Sequence, residues 1–140
     1  MIFKIIIPAR ANSKRLPGKN MKILGGKPLI QHSIDFALKN FSNKDIWVNS
    51  DDREILEFAN TKGIMTLLRP DELAADFSST VDVLKDSDAL VLLTEWKEFR
   101  SPDFEEIKAQ LKTPVIFDGR NQYISYEIEK NGFEYIRIGK

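Results

Sequence analysis

The residues best suited to chemistry are the basic residues of the loop that follows the first apolar segment. Arg10, Lys14, Arg15 and Lys19 lie there, and no acidic residue occurs between positions 10 and 27. The whole chain balances 21 Lys+Arg against 21 Asp+Glu, so this positive charge is local. A buried strand that leads into a cationic loop containing Gly and Asn is a common phosphate site in α/β proteins. The sequence therefore predicts an anion site; the alternative is a solvated loop whose charges keep the chain soluble.

Groups that could bind a metal occur at three further residues in the first half of the chain: Asp51, Asp52 and His32. Asp51 and Asp52 could form a carboxylate pair, but their place before a predicted helix favours capping, with Asp51 and Glu54 resembling a capping box. His32 lies within a periodic helix and has no second His or Cys near it in the sequence. A structural role is therefore predicted for His32.

A second candidate site lies in the carboxyl-terminal half, where Asp118, Arg120 and Asn121 follow a predicted strand. These residues could hold a ligand at the carboxyl end of that strand, although Asp-Gly is also an ordinary turn sequence. Trp96 and Phe99 could stack on a base or pack a loop. Packing is the simpler interpretation for both aromatic residues.

Apolar segments alternate with helical patterns along the chain, which predicts a Rossmann-like, doubly wound α/β fold. We expect one domain over residues 1–140, with a mostly parallel six-stranded sheet, helices on both faces and strand order 3-2-1-4-5-6. The basic loop would then lie at the crevice between the first and fourth strands. The predicted strands are 2–7, 46–48, 64–68, 89–93, 114–117 and 135–138, and the predicted helices are 28–41, 51–62, 80–85, 101–111 and 125–131.

Composition excludes several classes of protein. The chain has no cysteine, so disulfides, thiolate metal sites and thiol nucleophiles are absent. A net charge of zero argues against general binding to nucleic acid or to membranes. No apolar run approaches the roughly 18 residues of a membrane span, and a cytoplasmic location is expected. The predicted edge strand makes a homodimer an expectation.

The first half of the chain resembles a known enzyme family. The sequence IPARANSKRLPGKN at 7–20, with GKPL at 26–29, NSD at 49–51 and the stretch 69–79, is similar to the amino-terminal half of acylneuraminate cytidylyltransferases over about residues 1–83. The resemblance implies a Rossmann-like nucleotidyltransferase domain that joins CTP to a sugar acid, releases pyrophosphate and uses Mg²⁺ when active.

The same resemblance implies roles for individual residues. Arg10 and Lys19 would be the catalytic residues, since nucleotidyl transfer depends on positioning and on cations that neutralise charge developing on oxygen. Arg15 would add to the cationic phosphate loop. The implied nucleotide-binding set is Arg10, Lys14 and Lys19 on the triphosphate, Asn20 on the nucleotide, and Arg69 with Ser79 or Thr80 at the edge of the cytosine pocket.

The second half resembles a different family. The stretch 88–121, which contains TEWKEFR and FDGRN, and GFEYIRIGK at 132–140 are similar to the carboxyl-terminal end of UDP-glucose 6-dehydrogenases. In that family this piece is half of a Rossmann-like domain that helps to bind the UDP-sugar and to form the subunit interface. The chain thus resembles a chimera joined near residues 83–86, with a cytidylyltransferase-like half at 1–83 and a nucleotide-sugar-dehydrogenase-like half at 84–140.

Together these resemblances predict a CTP-binding, cytidylyltransferase-like domain with weak or no transferase activity. The family draws its Mg²⁺-binding aspartates and its sugar-acid pocket from downstream of the matched region. Dehydrogenase activity is not expected, because the chain lacks both cysteine and a G-x-G-x-x-G loop. Two alternatives stay open: an active CMP-sugar-acid synthetase completed by a partner chain, and a recombined structural chimera without ligand chemistry.

Overall fold

A computed structural model describes residues 4–11, 16–69, 81–93 and 101–139. The described residues fall into two compact units. We call residues 4–69 of this set the N-terminal unit and residues 81–139 the C-terminal unit. Each unit contains a three-stranded parallel sheet, so the predicted α/β class with parallel strands is confirmed.

The N-terminal unit is built on a β-α-β-α-β sequence with a small hairpin inserted before the first helix. Its three main strands pair in parallel in the order β1-β4-β5, which is the predicted 3-2-1 half of the sheet. The elements are β1 (Ile5–Ala9), β2 (Ile23–Leu24), β3 (Lys27–Pro28), α1 (Leu29–Asn40), β4 (Ile46–Ser50), α2 (Arg53–Thr61) and β5 (Met65–Leu68).

Both helices of this unit pack on one core. Ile30 and Ile34 of α1 recur at helical spacing and are buried together with Ile55 of α2. Ile46 and Val48 of β4 are fully buried in the same cluster, because alternate strand residues face the same side of the sheet. Burying an aliphatic side chain of this size contributes roughly 1.5–3 kcal/mol. The core therefore holds the strand ends that carry the candidate site.

The hairpin of β2 and β3 was not predicted from the sequence. Gly25 and Gly26 form its turn with φ values of 60° and 83°, the left-handed conformation that a tight two-residue hairpin needs. The sequence predicted a helix from position 28 and no strand pair before it. Lys27 of β3 pairs with Asp35 of α1, and this hydrogen bond lowers the pKa of Asp35. The hairpin is thereby attached to the helix that follows it.

The C-terminal unit repeats the β-α-β-α-β sequence with other residues. Its strands pair in parallel in the order β6-β7-β8, the predicted 4-5-6 half, with β8 at the edge as expected. Asp103 caps α3 by accepting from the Glu106 N–H at 3.1 Å. Ile124 is the N-cap of the last helix, which begins at Ser125 as predicted. The elements are β6 (Leu90–Leu92), α3 (Phe104–Gln110), β7 (Val115–Asp118), α4 (Ser125–Lys130) and β8 (Glu134–Arg137).

The single six-stranded sheet is a wrong prediction. The described strands form sheets of three, two and three strands, and no pairing joins β1 to β6 among them. In the C-terminal unit, Val91, Phe117 and Ile136 lie in register and are exposed. The pattern of apolar residues indicates where the strands of each unit lie. It does not indicate whether a strand of one unit pairs with a strand of the other.

No helix in the described part of the chain has both the length and the apolar character needed to cross a membrane.

Candidate nucleotide site

The candidate site lies where the three parallel strands of the N-terminal unit end. Ala9 is in register with Ser50, and Ser50 is in register with Leu68. Because parallel strands have their carboxyl ends at the same edge, the residues that follow them are neighbours. Those residues are Arg10, Asp51 and Arg69. Two of the predicted ligands are thus brought to one edge of one sheet.

The loop after β1 returns to the strand end. The Gly18 N–H donates to the Ala11 carbonyl oxygen at 3.2 Å, and Gly18 has a φ of 64° that favours glycine. A short 3-10 helix, Lys19–Met21, follows directly. Asn20 Nδ2 donates to the Arg10 carbonyl oxygen at 3.0 Å. These two bonds hold the backbone of Lys19 and Asn20 beside the end of β1, with the Lys19 side chain exposed.

Asp51 links the ends of the two outer strands across the middle strand. Its Oδ1 accepts from the Ala11 N–H at 2.8 Å. The same oxygen lies 3.6 Å from Arg69 Nη2. Asp51 follows the middle strand β4, so its carboxylate is central at this edge. Sequence reasoning gave Asp51 a capping role instead, and the pattern that could have located it is its position directly after a buried middle strand.

The helix cap is the next residue. Asp52 is the N-cap of α2 and accepts from the Glu54 N–H at 2.9 Å. The Ser50 hydroxyl oxygen accepts from the Asp52 N–H at 3.0 Å. The capping box of Asp51 with Glu54 is therefore a wrong prediction, whereas capping within this acidic pair is confirmed. The two adjacent carboxylates have different tasks, since one faces the helix and the other faces the loops.

Arg69 is a buried cation at the same edge, with only 5% of its surface exposed. Its backbone N–H donates to the Ser50 carbonyl oxygen at 2.9 Å, which continues the strand pairing. A buried guanidinium is costly unless an anion balances it, and Asp51 supplies that charge. Arg69 is thus placed by its backbone and oriented by a carboxylate.

Several predicted site residues fall outside the described residues. Lys14 and Arg15 belong to the basic loop, and Ser79 and Thr80 belong to the predicted cytosine pocket. Their roles stay predictions. The aromatic residues Trp96 and Phe99 also lie outside the described ranges.

The second predicted site has a different construction. Asp118 is 1% exposed, and its Oδ1 accepts from the Arg120 N–H at 2.8 Å. Its Oδ2 accepts from the Gln122 N–H at 2.6 Å, the Tyr123 N–H at 3.2 Å and the Tyr135 hydroxyl at 2.8 Å. Both carboxylate oxygens are therefore used by the loop that follows β7 and by β8.

The remaining residues of that second site lie at the surface. Asn121 adopts a φ of 52° and donates through Nδ2 to the Ile138 carbonyl oxygen at 3.2 Å. Arg120 is exposed. A ligand role for Asp118, Arg120 and Asn121 stays a prediction, and the contacts above give Asp118 an internal structural role.

Three neighbouring groups of the C-terminal unit, Asp118, Tyr123 and Tyr135, have shifted pKa values. Burial raises the pKa of Asp118, but hydrogen bonds from Arg120, Tyr135, Gln122 and Tyr123 outweigh it, so the pKa is lowered overall. Burial, with the hydrogen bond to Asp118, raises the pKa of Tyr135 to about 12. Burial and the nearby Asp118 charge also raise the pKa of Tyr123. The fold thus favours a charged aspartate beside neutral tyrosines.

His32 has a structural contact. Its Nε2 donates to the Leu24 carbonyl oxygen at 2.8 Å and joins α1 to the hairpin. No group of three or more His, Cys, Asp or Glu residues suited to a metal occurs among the described positions.

The carboxyl ends of parallel strands are the usual ligand-binding edge of an open α/β sheet. The sequence pattern of the cytidylyltransferase family matches residues 4–92, so this chain belongs to that family. Its N-acylneuraminate cytidylyltransferase relative from Streptococcus agalactiae is 46% identical over 83 residues, covering 58% of this chain and 20% of the relative. A CMP-N,N'-diacetyllegionaminic acid synthase from Legionella pneumophila is 38% identical over 110 residues, covering 70% of this chain and 47% of that relative.

The chain is also similar to UDP-glucose 6-dehydrogenases. The enzyme from Rickettsia conorii is 35% identical over 130 residues, covering 89% of this chain and 29% of the relative. The chain therefore spans from about a fifth to about a half of the curated relatives it matches.

The two similarities overlap. The cytidylyltransferase match ends at residue 92, the end of β6, rather than at 83. A dehydrogenase match that covers 89% of the chain includes most of residues 4–92 as well. The chain is thus similar to both families, as the chimera-like pattern of the sequence predicts, and the two matches overlap.

Proposed function

We propose that this chain binds CTP at the carboxyl edge of the β1-β4-β5 sheet. The observation that carries the proposal is the convergence of Arg10 and Arg69 on one edge, in a segment that belongs to the cytidylyltransferase family. Lys19 and Asn20 are held beside Arg10 by the returning loop. Lys14 and Arg15 belong to the same proposed phosphate site, and Ser79 and Thr80 to the proposed cytosine pocket.

The proposed roles of these residues follow from how exposed their side chains are. Lys19 is exposed and Arg10 half-buried, so both can meet the charged triphosphate as catalytic residues that neutralise charge developing on its oxygens. Arg69 is buried beside Asp51 and suits a fixed contact with the base. Asn20 is used in part to hold the loop, since its amide donates to the Arg10 carbonyl oxygen.

Magnesium belongs to the proposal as a companion of the nucleotide. Asp51 and Asp52 are engaged by backbone donors and Arg69, so the described carboxylates of this edge do not fit a ready metal cluster. Mg²⁺ is commonly bound through substrate phosphates with few protein carboxylates. We therefore expect Mg²⁺ to enter with the triphosphate when the protein is active.

We further propose that the chain has weak or no transferase activity. After residue 92 the chain leaves the cytidylyltransferase pattern, so residues 93–140 supply other side chains than the family's downstream part. Incubation with CTP, Mg²⁺ and a panel of sugar acids, followed by a pyrophosphate assay, tests this. Multiple turnovers by the chain alone would contradict it, and turnover only with an added cytidylyltransferase chain would favour the partner-completed synthetase.

Calorimetry with CTP, with and without Mg²⁺, tests binding directly. Arg10→Ala and Lys19→Ala should weaken binding by about tenfold each, the factor that corresponds to ~1.4 kcal/mol. Lys44→Ala is the matched control, because this exposed lysine precedes β4 at the opposite end of the strand. Equal affinities for all variants, or no heat at millimolar CTP, would retire the proposal.

A thermal scan separates CTP binding from a structural chimera without ligand chemistry. A ligand that binds only the native state raises the unfolding midpoint by mass action. A midpoint that does not move with CTP would favour the chimera. Sedimentation of the same sample tests the expected homodimer.

A further inference from the structure

We infer that Asp51 is a positioning residue for the nucleotide site, acting through Ala11 and Arg69 rather than through contact with the nucleotide. This inference rests on the proposed CTP site. It adds a residue that neither charge nor motif reasoning assigns to binding, since a carboxylate at an anion site would by itself repel the ligand.

Asp51 contacts both the start of the cationic loop and Arg69. One carboxylate oxygen accepts from the Ala11 N–H at 2.8 Å and lies 3.6 Å from Arg69 Nη2. Ala11 follows Arg10, and its carbonyl oxygen accepts from the Gly18 N–H. The carboxylate therefore fixes the start of the cationic loop and the buried guanidinium at once.

Both of these charged side chains are largely shielded from water. The side chain of Asp51 is 18% exposed and that of Arg69 is 6% exposed. Interactions between charges that water reaches so little are stronger than at the surface, and the loss of one partner leaves the other charge buried. Without Asp51, Arg69 would lose this neighbouring carboxylate and the loop would lose its bond at Ala11.

A positioning role and simple electrostatics predict opposite changes in CTP affinity when Asp51 is removed. Removal of a negative charge beside an anion site tightens binding of a triphosphate if charge alone matters. Removal of a positioning contact weakens binding despite the lower negative charge. The sign of the change in CTP affinity therefore distinguishes a positioning residue from a bystander, and a merely structural residue away from the ligand would leave affinity unchanged.

Asp52 provides a matched control. It is the next residue, carries the same charge and caps α2 through the Glu54 N–H. Asn is an equally good N-cap, so Asp52→Asn removes the charge while the helix keeps its cap. Asp51→Asn keeps an oxygen that can accept from Ala11 but removes the charge that balances Arg69. Asp51→Ala removes both contacts.

The experiment is calorimetric titration of the full chain with CTP, at a temperature where thermal scans show every variant to be folded. We expect Asp51→Ala to raise the Kd at least about tenfold, a loss of ~1.4 kcal/mol, with Asp51→Asn in between. Asp52→Asn should leave the Kd unchanged or lower it. Asp51→Glu, which restores the charge, should recover part of the affinity.

The outcomes separate the two proposals. If the original chain binds CTP and Asp51→Ala binds equally well or more tightly, the positioning role is overturned while the nucleotide site stands. If Asp51→Ala and Asp52→Asn weaken binding to the same extent, the effect is not specific to the Ala11 and Arg69 contacts, and the inference also fails. If the original chain shows no heat with millimolar CTP, the nucleotide site itself is overturned and the positioning role with it.

Discussion

The two units place an aspartate at the same topological position and use it differently. Asp51 follows the middle strand of the β1-β4-β5 sheet, and Asp118 ends the middle strand of the β6-β7-β8 sheet. Asp51 contacts the loop after the first strand and the residue after the third. Asp118 contacts its own following loop and Tyr135 of the third strand.

The difference lies in what remains available to a ligand. Asp118 is fully buried, and the donors around it are backbone N–H groups and a tyrosine hydroxyl. The edge around Asp51 instead carries Arg10, Lys19 and Arg69. Asp118 thus closes a loop of its own unit, whereas Asp51 joins the start of the cationic loop to Arg69.

The largest expected effect on stability is at Asp118. Asp118→Ala leaves several buried donors without an acceptor, and each such loss costs roughly 1–3 kcal/mol, so we expect destabilisation of about 3 kcal/mol or more. Urea unfolding followed by circular dichroism measures it. A loss below about 1 kcal/mol would show that the loop can re-form its hydrogen bonds with solvent, and the contrast with Asp51 would fail.

Asp118 should also make the free energy of unfolding decrease at acidic pH. The folded-state pKa of Asp118 is lowered, so its contribution is present above its ordinary pKa of about 3.9 and is lost as pH falls through the folded value. Unfolding free energy measured below about pH 4 should therefore fall with pH. Asp118→Asn should flatten this pH dependence, whereas an unchanged slope in the variant would assign it to other carboxylates.

Tyr135 should produce an alkaline limb of moderate size. Its pKa is raised to about 12, so the stabilisation is complete below the ordinary value of about 10 and is lost as pH rises toward 12. Tyr135→Phe removes a hydrogen bond to Asp118, costs about 1 kcal/mol at neutral pH and should weaken the alkaline limb. Stability curves of both proteins from pH 8 to 12 that remain parallel would contradict this assignment.

The smallest effect is expected at Asp52. Asp52→Asn keeps a good N-cap for α2, so unfolding free energy should change by no more than about 0.5 kcal/mol. Thermal unfolding compares it with Asp51→Asn, which removes the carboxylate charge beside the buried Arg69 and should be clearly less stable. Equal destabilisation by the two substitutions would remove the distinction between these adjacent carboxylates.

Sequence patterns predicted the local elements well because those elements depend on nearby residues. The apolar spacing of Ile30 and Ile34 predicted α1, and Gly63 with a φ of 69° follows the predicted end of the second helix at residue 62. The order of strands within each unit was taken from the common order 3-2-1-4-5-6 and is confirmed. The basic loop, Arg10 and Arg69 were predicted as site residues by charge and by family resemblance.

Two contacts that the sequence did not predict depend on long-range packing, whereas the unpredicted hairpin of β2 and β3 is local. Asp51 bonds to Ala11, 40 residues away, and nothing in the local sequence distinguishes this from a helix cap. The donors around Asp118, including Tyr135, become visible only when β7 and β8 pair, and its ligand role stays a prediction. Pairing between β1 and β6 was assumed from a common strand order rather than from any residue.

Amide chemical-shift mapping with CTP tests the central claim most directly, because it reports on both units in one sample. We expect shifts that saturate together in the N-terminal unit, at Arg10, Ala11, Lys19, Asp51 and Arg69, while the loop around Arg120 and Asn121 stays unchanged. Shifts centred on that second loop, or no shifts in either unit at millimolar CTP, would contradict it.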